Sequence, residues 1–167
     1  MSPQTQASSR QVDGPLLKVT DLRTAFRTDR GLVKSVDGVS FTLDRGKSLG
    51  IVGESGSGKT VLSRSIMGLL PKRNTERSGS VVFEGQEIIN LSLSERRKVW
   101  GKEMSMIFQD PMTSLNPVMR VGKQRGEGLK IHLGMSKADA RATALRLPQD
   151  GRIPEPEKRP GQYACEL

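Results

Sequence analysis

Residues 53–60 read GESGSGKT, a stretch in which residue types and spacing together indicate chemistry. It matches the pattern G-x-x-x-x-G-K-[ST] in full, between the apolar run SLGIVG and the helix-like TVLSRSIMGLL. Glycines here let the backbone adopt positive φ angles and approach a ligand closely. Successive N–H groups then converge on phosphate oxygens at the positive end of the helix dipole. The stretch therefore predicts a phosphate-binding loop.

The predicted ligand of this loop is a nucleoside triphosphate with Mg²⁺. Lys59 adds a point charge that reaches the β- and γ-phosphates, and the hydroxyl of Thr60 completes the octahedral shell of the ion. A turn that only joins a strand to a helix would explain the glycines but not the Lys-Thr pair. The predicted ligand-binding residues are Gly53, Glu54, Ser55, Gly56, Ser57, Gly58, Lys59 and Thr60.

Hydrophobic periodicity predicts the elements that position the loop. Two antiparallel-looking strands come first, at 16–26 and 33–43, with a bulge at Asp37 and Gly38. Two short apolar runs predict buried strands, 48–53 as a strand of a parallel sheet and 104–109 as a second buried strand. The other predicted elements are a helix from Thr60 that Pro71 stops, a strand at 79–88 with Glu84 and Gly85 at a turn, a helix at 91–101 capped by Ser92 or Ser94, and a mainly helical segment at 121–147. This order predicts an α/β fold with an all-β annex.

Composition narrows the class of protein. The 167 residues suffice for one compact domain, and the apolar runs fall short of the ~20 residues of a membrane-spanning helix. The net charge of +9 favours polyanions such as nucleic acid, anionic lipid head groups or nucleotide phosphates, but 4% aromatic residues make a poor base-stacking platform. Cys165 is the single cysteine, which favours a reducing cytoplasm. Residues 1–15 are predicted to be a disordered leader without a secretory signal.

Several motifs, in order along the chain, resemble one family. GESGSGKT resembles the Walker A loop of ABC-type ATPases, and MSMIFQDPMTSLNPVMRVG (104–122) resembles the Q-loop region of their oligopeptide/dipeptide and nickel importer subfamily. VDGVSFTL, IMGLLP and IPEPEKR fit the same subfamily. The resemblance implies an α/β P-loop NTPase fold of the ABC type. Residues 16–122 would form the nucleotide-binding core with its β subdomain, and residues 123–167 part of the helical subdomain.

The same resemblance assigns two further residues. Gln109 matches the Q-loop glutamine, which approaches the Mg²⁺ and the attacking water and links the nucleotide site to the membrane-facing helical subdomain. Phe26 falls where the family places an aromatic ring against adenine. The alternatives are an ordinary apolar strand residue for Phe26 and a polar strand end for Gln109. The implied cofactors are ATP and Mg²⁺, with Thr60 and Gln109 at the metal.

The family pattern continues past QYACEL into the signature motif, the Walker B carboxylates, the D-loop and the switch histidine. After Gln109, no acidic residue stands at the end of a hydrophobic strand, so we expect inefficient hydrolysis by this chain alone. Interior Pro148 and Gly151, together with Gly126 and Gly128, are expected to loosen the helical subdomain. A fragment, a frameshifted product and a natural end all stay open.

The leading interpretation is an ATP-binding subunit, or its N-terminal fragment, of a peptide-type ABC importer at the cytoplasmic face of a bacterial inner membrane. Its implied partners are integral-membrane permease subunits and a second ATP-binding subunit, with a substrate-binding protein acting indirectly. No nucleic acid is expected. The alternatives are a soluble ABC-type ATPase acting on nucleic acid, which the charge of +9 favours, and a non-functional remnant of a transporter subunit.

Overall fold

A computed structural model of the protein describes residues 14–109, 115–151 and 153–166. The predicted leader lies outside these residues, apart from Gly14 and Pro15. The chain divides into two compact units, one up to residue 93 and one from residue 94. The predicted boundary after residue 122 stays a prediction.

The first unit is built on an antiparallel sheet of four strands in the order β2-β1-β3-β4. The strands are β1 (Leu17–Thr28), β2 (Gly31–Leu43), β3 (Thr75–Phe83) and β4 (Gln86–Glu87). Val19, Leu22 and Thr24 of β1 are buried, as is Val81 of β3. The predicted strands at 16–26 and 33–43 are confirmed. The stretch 79–88 forms the end of β3, which begins four residues earlier than expected, and β4, with the predicted turn at Glu84 and Gly85 between them.

The predicted bulge in β2 is confirmed by the register of its pairing with β1. Leu22 pairs with Val39 and Thr24 with Val36, so two steps along β1 match three along β2. The extra residue lies next to Gly38, whose φ of 75° suits the local kink. This bulge bends β2 just beyond Ser35, a residue that contacts the candidate site.

Helix α1 (Lys59–Met67) follows the predicted phosphate loop and contacts both β1 and β2. Leu62, Ser65 and Ile66 form its buried stripe at helical spacing. The prediction that Pro71 stops this helix is wrong. Gly68, with a φ of 66°, ends it, because its N–H and that of Leu69 bond to the carbonyls of Ser65 and Arg64 in a Schellman arrangement.

Neither of the two predicted buried strands is present. Residues 47–54 and 105–108 carry no strand, and the side chains of Val52 and Ile107 are 94% and 95% exposed. An apolar run becomes a strand only when a neighbour satisfies its N–H and C=O groups. Within the described part of the chain no segment pairs with either run beyond a single bridge between Trp100 and Met104.

The second unit is helical. It contains most of α2 (Leu93–Val99), then α3 (Val121–Leu133), α4 (Lys137–Asp150) and 3₁₀ turns at Arg159–Gly161 and Ala164–Glu166. The helical predictions for 91–101 and 121–147 are confirmed. None of the described helices is long and apolar enough to cross a membrane.

The expected loosening of the helical subdomain by its glycines and Pro148 stays a prediction, but one part of its basis is wrong. Gly126 is buried, and a Cβ there would lie 3.9 Å from the carbonyl oxygen of Ala140 in α4. Ala140 and Ala144 are each 1% exposed, so small residues on both helices allow close packing. Pro148 does not interrupt α4, which continues to Asp150.

Candidate phosphate-binding site

The loop at residues 53–60 is a compact turn between the extended segment that precedes it and helix α1. The N–H of Ser57 bonds to the carbonyl of Glu54 at 3.2 Å. Gly56 and Gly58 have φ angles of 82° and 89°, a region that side chains strain. The loop is therefore folded back on itself, as the sequence predicts.

The side chain of Lys59 turns back into the loop. Its Nζ donates to the carbonyl oxygens of Gly53 and Glu54 at 2.7 and 2.6 Å, and to the hydroxyl of Ser57 at 3.2 Å. An ammonium group has three donors, and all three are directed at atoms of the loop. The positive charge is thus held over the turn rather than extended into solvent.

The main-chain N–H groups of the loop are open to a ligand. Helix α1 begins at Lys59, and the first bond of its ladder runs from the N–H of Leu62 to the carbonyl of Gly58. Between Gly53 and Val61, all of them described residues, the structure gives a partner only to the N–H of Ser57. Free N–H groups at the positive end of a helix favour an anion.

Strand β2 fixes one side of the loop. A Cβ on Gly58 would overlap the carbonyl oxygen of Ser35, so the two backbones are in close contact. No side chain other than hydrogen fits this position, and the φ of 89° excludes most residues independently. Sequence reasoning identified Gly58 but missed Ser35, because nothing local marks the partner of such a contact.

A buried hydrogen bond fixes helix α1 to the sheet. The hydroxyls of Thr24 and Ser65 lie 2.8 Å apart, and both residues are fully buried. Ser65 also donates to the carbonyl of Val61 at 2.7 Å, which leaves Thr24 as the donor to Ser65. Arg77 of β3 adds a bond to the carbonyl of Ser65 at 3.2 Å.

Sequence reasoning did not find the role of Thr24 and Ser65. A signal is present, since Ser65 is a polar residue within the apolar stripe of α1, next to Ile66. Its partner is 41 positions away in sequence. Only the folded structure, in which α1 contacts β1, shows that the two hydroxyls lie within hydrogen-bond distance.

Phe26 lies near the end of β1 in the first unit. It pairs with Val33 of β2 and Thr75 of β3 and is half-buried. The residue is therefore an ordinary sheet residue with part of its ring surface accessible. Its contact with a nucleotide base stays a prediction.

Gln109 belongs to the second unit and is exposed. The rest of the predicted Q-loop stretch, residues 110–114, lies outside the described residues. Beyond it, Gln124 of α3 holds the chain at Asn116 and Met119. Its amide accepts from the N–H of Asn116 at 2.8 Å and donates to the two carbonyls at 2.9 and 2.8 Å. Sequence reasoning missed Gln124.

The donor set at the loop suits Mg²⁺ bound together with phosphates. Thr60 is exposed at the start of α1, and its hydroxyl is a hard oxygen donor. The described residues contain no group of three or more His, Cys, Asp or Glu side chains that could hold a metal ion. Mg²⁺ commonly takes several of its ligands from substrate phosphates and water, with one or two from the protein.

Comparison with known proteins gives the family. The family model described as ABC transporter matches residues 36–162. The oligopeptide transport ATP-binding protein OppD of Haemophilus influenzae is 47% identical over 153 residues, which cover 92% of this chain and 47% of that protein. OppD of Bacillus subtilis is 49% identical over 153 residues, covering 91% and 43%. The chain thus spans about half the length of these curated relatives.

Solved structures show the same fold. The ATP-binding cassette MJ0796, described as a dimer in a post-hydrolysis state bound to ADP and Pi, superposes with a TM-score of 0.75 at 20% identity. The match covers 90% of this chain and 62% of that one. The predicted α/β P-loop fold of the ABC type is confirmed, although its core strand at 48–53 is not formed here. The chain belongs to the ABC transporter family.

Proposed function

We propose that the loop at residues 53–60 binds the phosphates of Mg-ATP. The observation that carries this proposal is the set of open N–H groups between Gly53 and Val61, beside the ammonium group of Lys59. Incoming phosphate oxygens would accept from these N–H groups and would replace the loop carbonyls as partners of Lys59. Thr60 would supply one oxygen to Mg²⁺.

We infer further that the chain serves, within a longer or assembled protein, as the ATP-binding part of a peptide importer. The names of OppD and of the putative peptide import ATP-binding proteins of Brucella, 43–44% identical to this chain, support this role. The corresponding partners are integral-membrane permease subunits and a second ATP-binding subunit, with the protein lying at the cytoplasmic face of a bacterial membrane. A substrate-binding protein would act indirectly, through the permease.

Hydrolysis is a separate matter from binding. Gln109 would help to position Mg²⁺ and the attacking water, and Phe26 would contact the base. Phosphoryl transfer also depends on positioned carboxylates. We therefore propose that this chain binds Mg-ATP but turns it over slowly on its own.

Substitution of Lys59 tests the binding proposal. Lys59→Ala should weaken binding of a fluorescent ATP analogue with Mg²⁺ by about 10- to 100-fold, the value of a hydrogen bond to a charged group. Lys47→Ala, which removes an exposed lysine from the preceding turn, is the matched control. Unchanged affinity in the Lys59 variant, with unchanged circular dichroism, would contradict the assignment.

Co-purification separates the importer from the nucleic-acid alternative. The tagged chain, expressed with the permease genes of a bacterial peptide importer, should bring down the permease subunits. Recovery of nucleic acid instead, with a steep dependence on salt, would favour the alternative.

A further inference from the structure

Arg77 of β3 connects three elements of the first unit, at the end of α1 that is opposite the phosphate loop. Its Nη1 donates to the carbonyl oxygen of Ser65, in the last turn of α1, at 3.2 Å. Its Nη2 donates to the carbonyl oxygen of Ile89, which follows β4, at 3.4 Å. A guanidinium group presents its N–H donors in a fixed planar fork, so this one side chain holds both carbonyl groups.

The register of the sheet places Arg77 on the face that packs against α1. Arg77 pairs with Thr24 of β1, and residues directly opposite each other on antiparallel strands share a face. The hydroxyl of Thr24 lies 2.8 Å from that of Ser65. Two neighbouring strands therefore hold the same helical residue, one through its side chain and the other through its carbonyl group. Ser65 is fully buried at this point of attachment.

The charge of Arg77 complements the dipole of α1. The carbonyl groups of the last turn carry the negative end of a helix dipole, and a cation there stabilises the helix. The positive end lies at Lys59, beside the open N–H groups of the phosphate loop. Lys59 and Ser65 are about 9 Å apart along the axis, at the rise of an α-helix. Over so short a distance, a shift of the last turn is passed on to the first.

The hydrogen bonds at Ser65 fix the orientation of α1 more closely than its apolar packing does. The apolar part of the buried stripe is Leu62 and Ile66. Apolar burial is non-directional, whereas a hydrogen bond depends on distance and angle. At the other end of the helix, the close contact between Gly58 and Ser35 fixes the loop. Two attached ends determine the direction of the helix axis.

We propose that Arg77 is a positioning residue for phosphate binding. It fixes the end of α1 that is remote from the ligand, so that the N–H groups at the other end point at the phosphates of Mg-ATP. Arg77 acts through α1 and not by contact with the nucleotide. This inference rests on the proposed binding of Mg-ATP at residues 53–60.

Amide signals in NMR spectra test this role without a ligand. In the nucleotide-free chain, Arg77→Met should shift the backbone amide signals of residues 53–60, at the far end of the helix. Arg73→Met removes the same charge from an exposed position between α1 and β3, and it should leave these signals in place. If Arg77→Met moved only the signals around Ser65 and Ile89, Arg77 would have a local structural role and the proposal would be wrong.

Nucleotide titration measures the effect on binding. With a fluorescent ATP analogue and Mg²⁺, Arg77→Met should bind at least about fivefold more weakly than the wild-type chain. Arg77→Lys keeps the cation but loses the planar fork, so it should recover part of this loss. It also provides the test if Arg77→Met does not fold, since smaller changes in the same loop signals are expected. An Arg77→Met affinity as close to wild type as that of Arg73→Met would overturn the proposal.

The two measurements separate this inference from the proposed function. If the wild-type chain does not bind the ATP analogue but Arg77→Met still shifts the signals of residues 53–60, Arg77 positions the loop and the proposed function is wrong. If the wild-type chain binds and Arg77→Met changes neither the loop signals nor the affinity, the proposed function stands and the positioning role is wrong.

Discussion

The strands of the antiparallel sheet and the apolar runs at 48–53 and 104–109 are both rich in apolar residues but have different structures. Strand β1 is paired on both sides, with β2 and β3, and buries Leu22 completely. The two runs are unpaired apart from the bridge at Met104, and they expose Val52 and Ile107 almost fully. Apolar residues alone therefore do not make a strand in this protein.

The two regions differ in how far along the sequence their strand partners lie. Strands β1 and β2 are joined by a two-residue turn, and the hydroxyl of Thr28 bonds to the carbonyl of Gly31 at 2.8 Å. In such a hairpin, each strand pairs with the strand that is next to it in the sequence. Strands of a parallel sheet need neighbours that are distant in sequence. The phosphate loop next to the first run is nevertheless folded, because contacts with β1 and β2 hold Ser65 and Gly58.

The largest expected effect comes from comparing Leu22 with Val52. Leu22→Ala should lower the free energy of unfolding by about 2–5 kcal/mol, since it creates a cavity in a packed core. Val52→Ala should change it by less than about 0.5 kcal/mol, because the side chain is exposed. Urea denaturation followed by circular dichroism measures both. If Val52→Ala lowered the free energy of unfolding nearly as much as Leu22→Ala, the run at 48–53 would be packed in solution. The two regions would then not differ in burial.

The next largest effect concerns two glycines of the phosphate loop. Gly58→Ala meets both an unfavourable φ and the carbonyl of Ser35, whereas Gly56→Ala meets an unfavourable φ alone, with no atom within 4 Å of its Cβ. We expect about 1 kcal/mol of destabilisation for Gly56→Ala and more than about 2 kcal/mol for Gly58→Ala.

Nucleotide titration of the same two variants completes this test. Affinity for Mg-ATP should fall further in Gly58→Ala, because the loop is displaced from β2. Equal effects of the two substitutions on stability and affinity would mean that the contact with Ser35 does not position the loop.

The sequence predicts the parts of the fold that depend on local patterns. The motif at 53–60 specifies its own turn, and the hairpin strands and helices follow from short-range periodicity. The predicted turn at Glu84 and Gly85 joins β3 to β4, and its φ angles of 48° and 79° are positive at both central residues, as in a type I′ hairpin turn.

Contacts between distant residues could not be predicted in the same way. The bond between Thr24 and Ser65, the contact between Gly58 and Ser35 and the packing of Gly126 against Ala140 each join residues from different elements. Gly126 shows the difficulty well. Helix propensity marks it as a weak point, while its position against α4 makes it a packing residue. The same limit explains why both apolar runs were wrongly expected to be buried strands.

A double-mutant cycle on Thr24 and Ser65 should give a smaller effect than the glycines. Ser65→Ala leaves the buried hydroxyl of Thr24 without its acceptor, so it should cost about 1–2 kcal/mol. Thr24→Val should cost a similar amount. The double variant should cost less than the two together, which gives a coupling energy of about 1 kcal/mol.

Ser63→Ala is the control for this cycle. Its hydroxyl donates to the carbonyl of Lys59 within α1 and makes no bond to the sheet. It should show no coupling to Thr24→Val. Additive effects of Thr24→Val and Ser65→Ala in urea denaturation would mean that the helix is held to the sheet by packing rather than by this bond.

The smallest effect should come from Glu87 of β4, at the edge of the same sheet. Its carboxylate accepts from the N–H groups of Val81 and Ile89, each at 3.0 Å, and from the hydroxyl of Ser80. Desolvation alone would raise the pKa of Glu87, but these hydrogen bonds outweigh it and lower the pKa below its usual value. The folded chain therefore stabilises the ionised form of the Glu87 carboxylate.

This shift makes part of the stability depend on pH. A lowered pKa stabilises the fold above the ordinary glutamate pKa, and the contribution is lost as the pH falls through the lower folded value. Because Glu87 is largely exposed, the contribution should be about 0.5 kcal/mol or less. Glu87→Gln should therefore lower the urea midpoint slightly near neutral pH and flatten its decline in acid, whereas substitution of an exposed glutamate of α3, Glu127→Gln, should not. An unchanged acid limb in Glu87→Gln would show that the edge of the sheet is held by its backbone ladder alone.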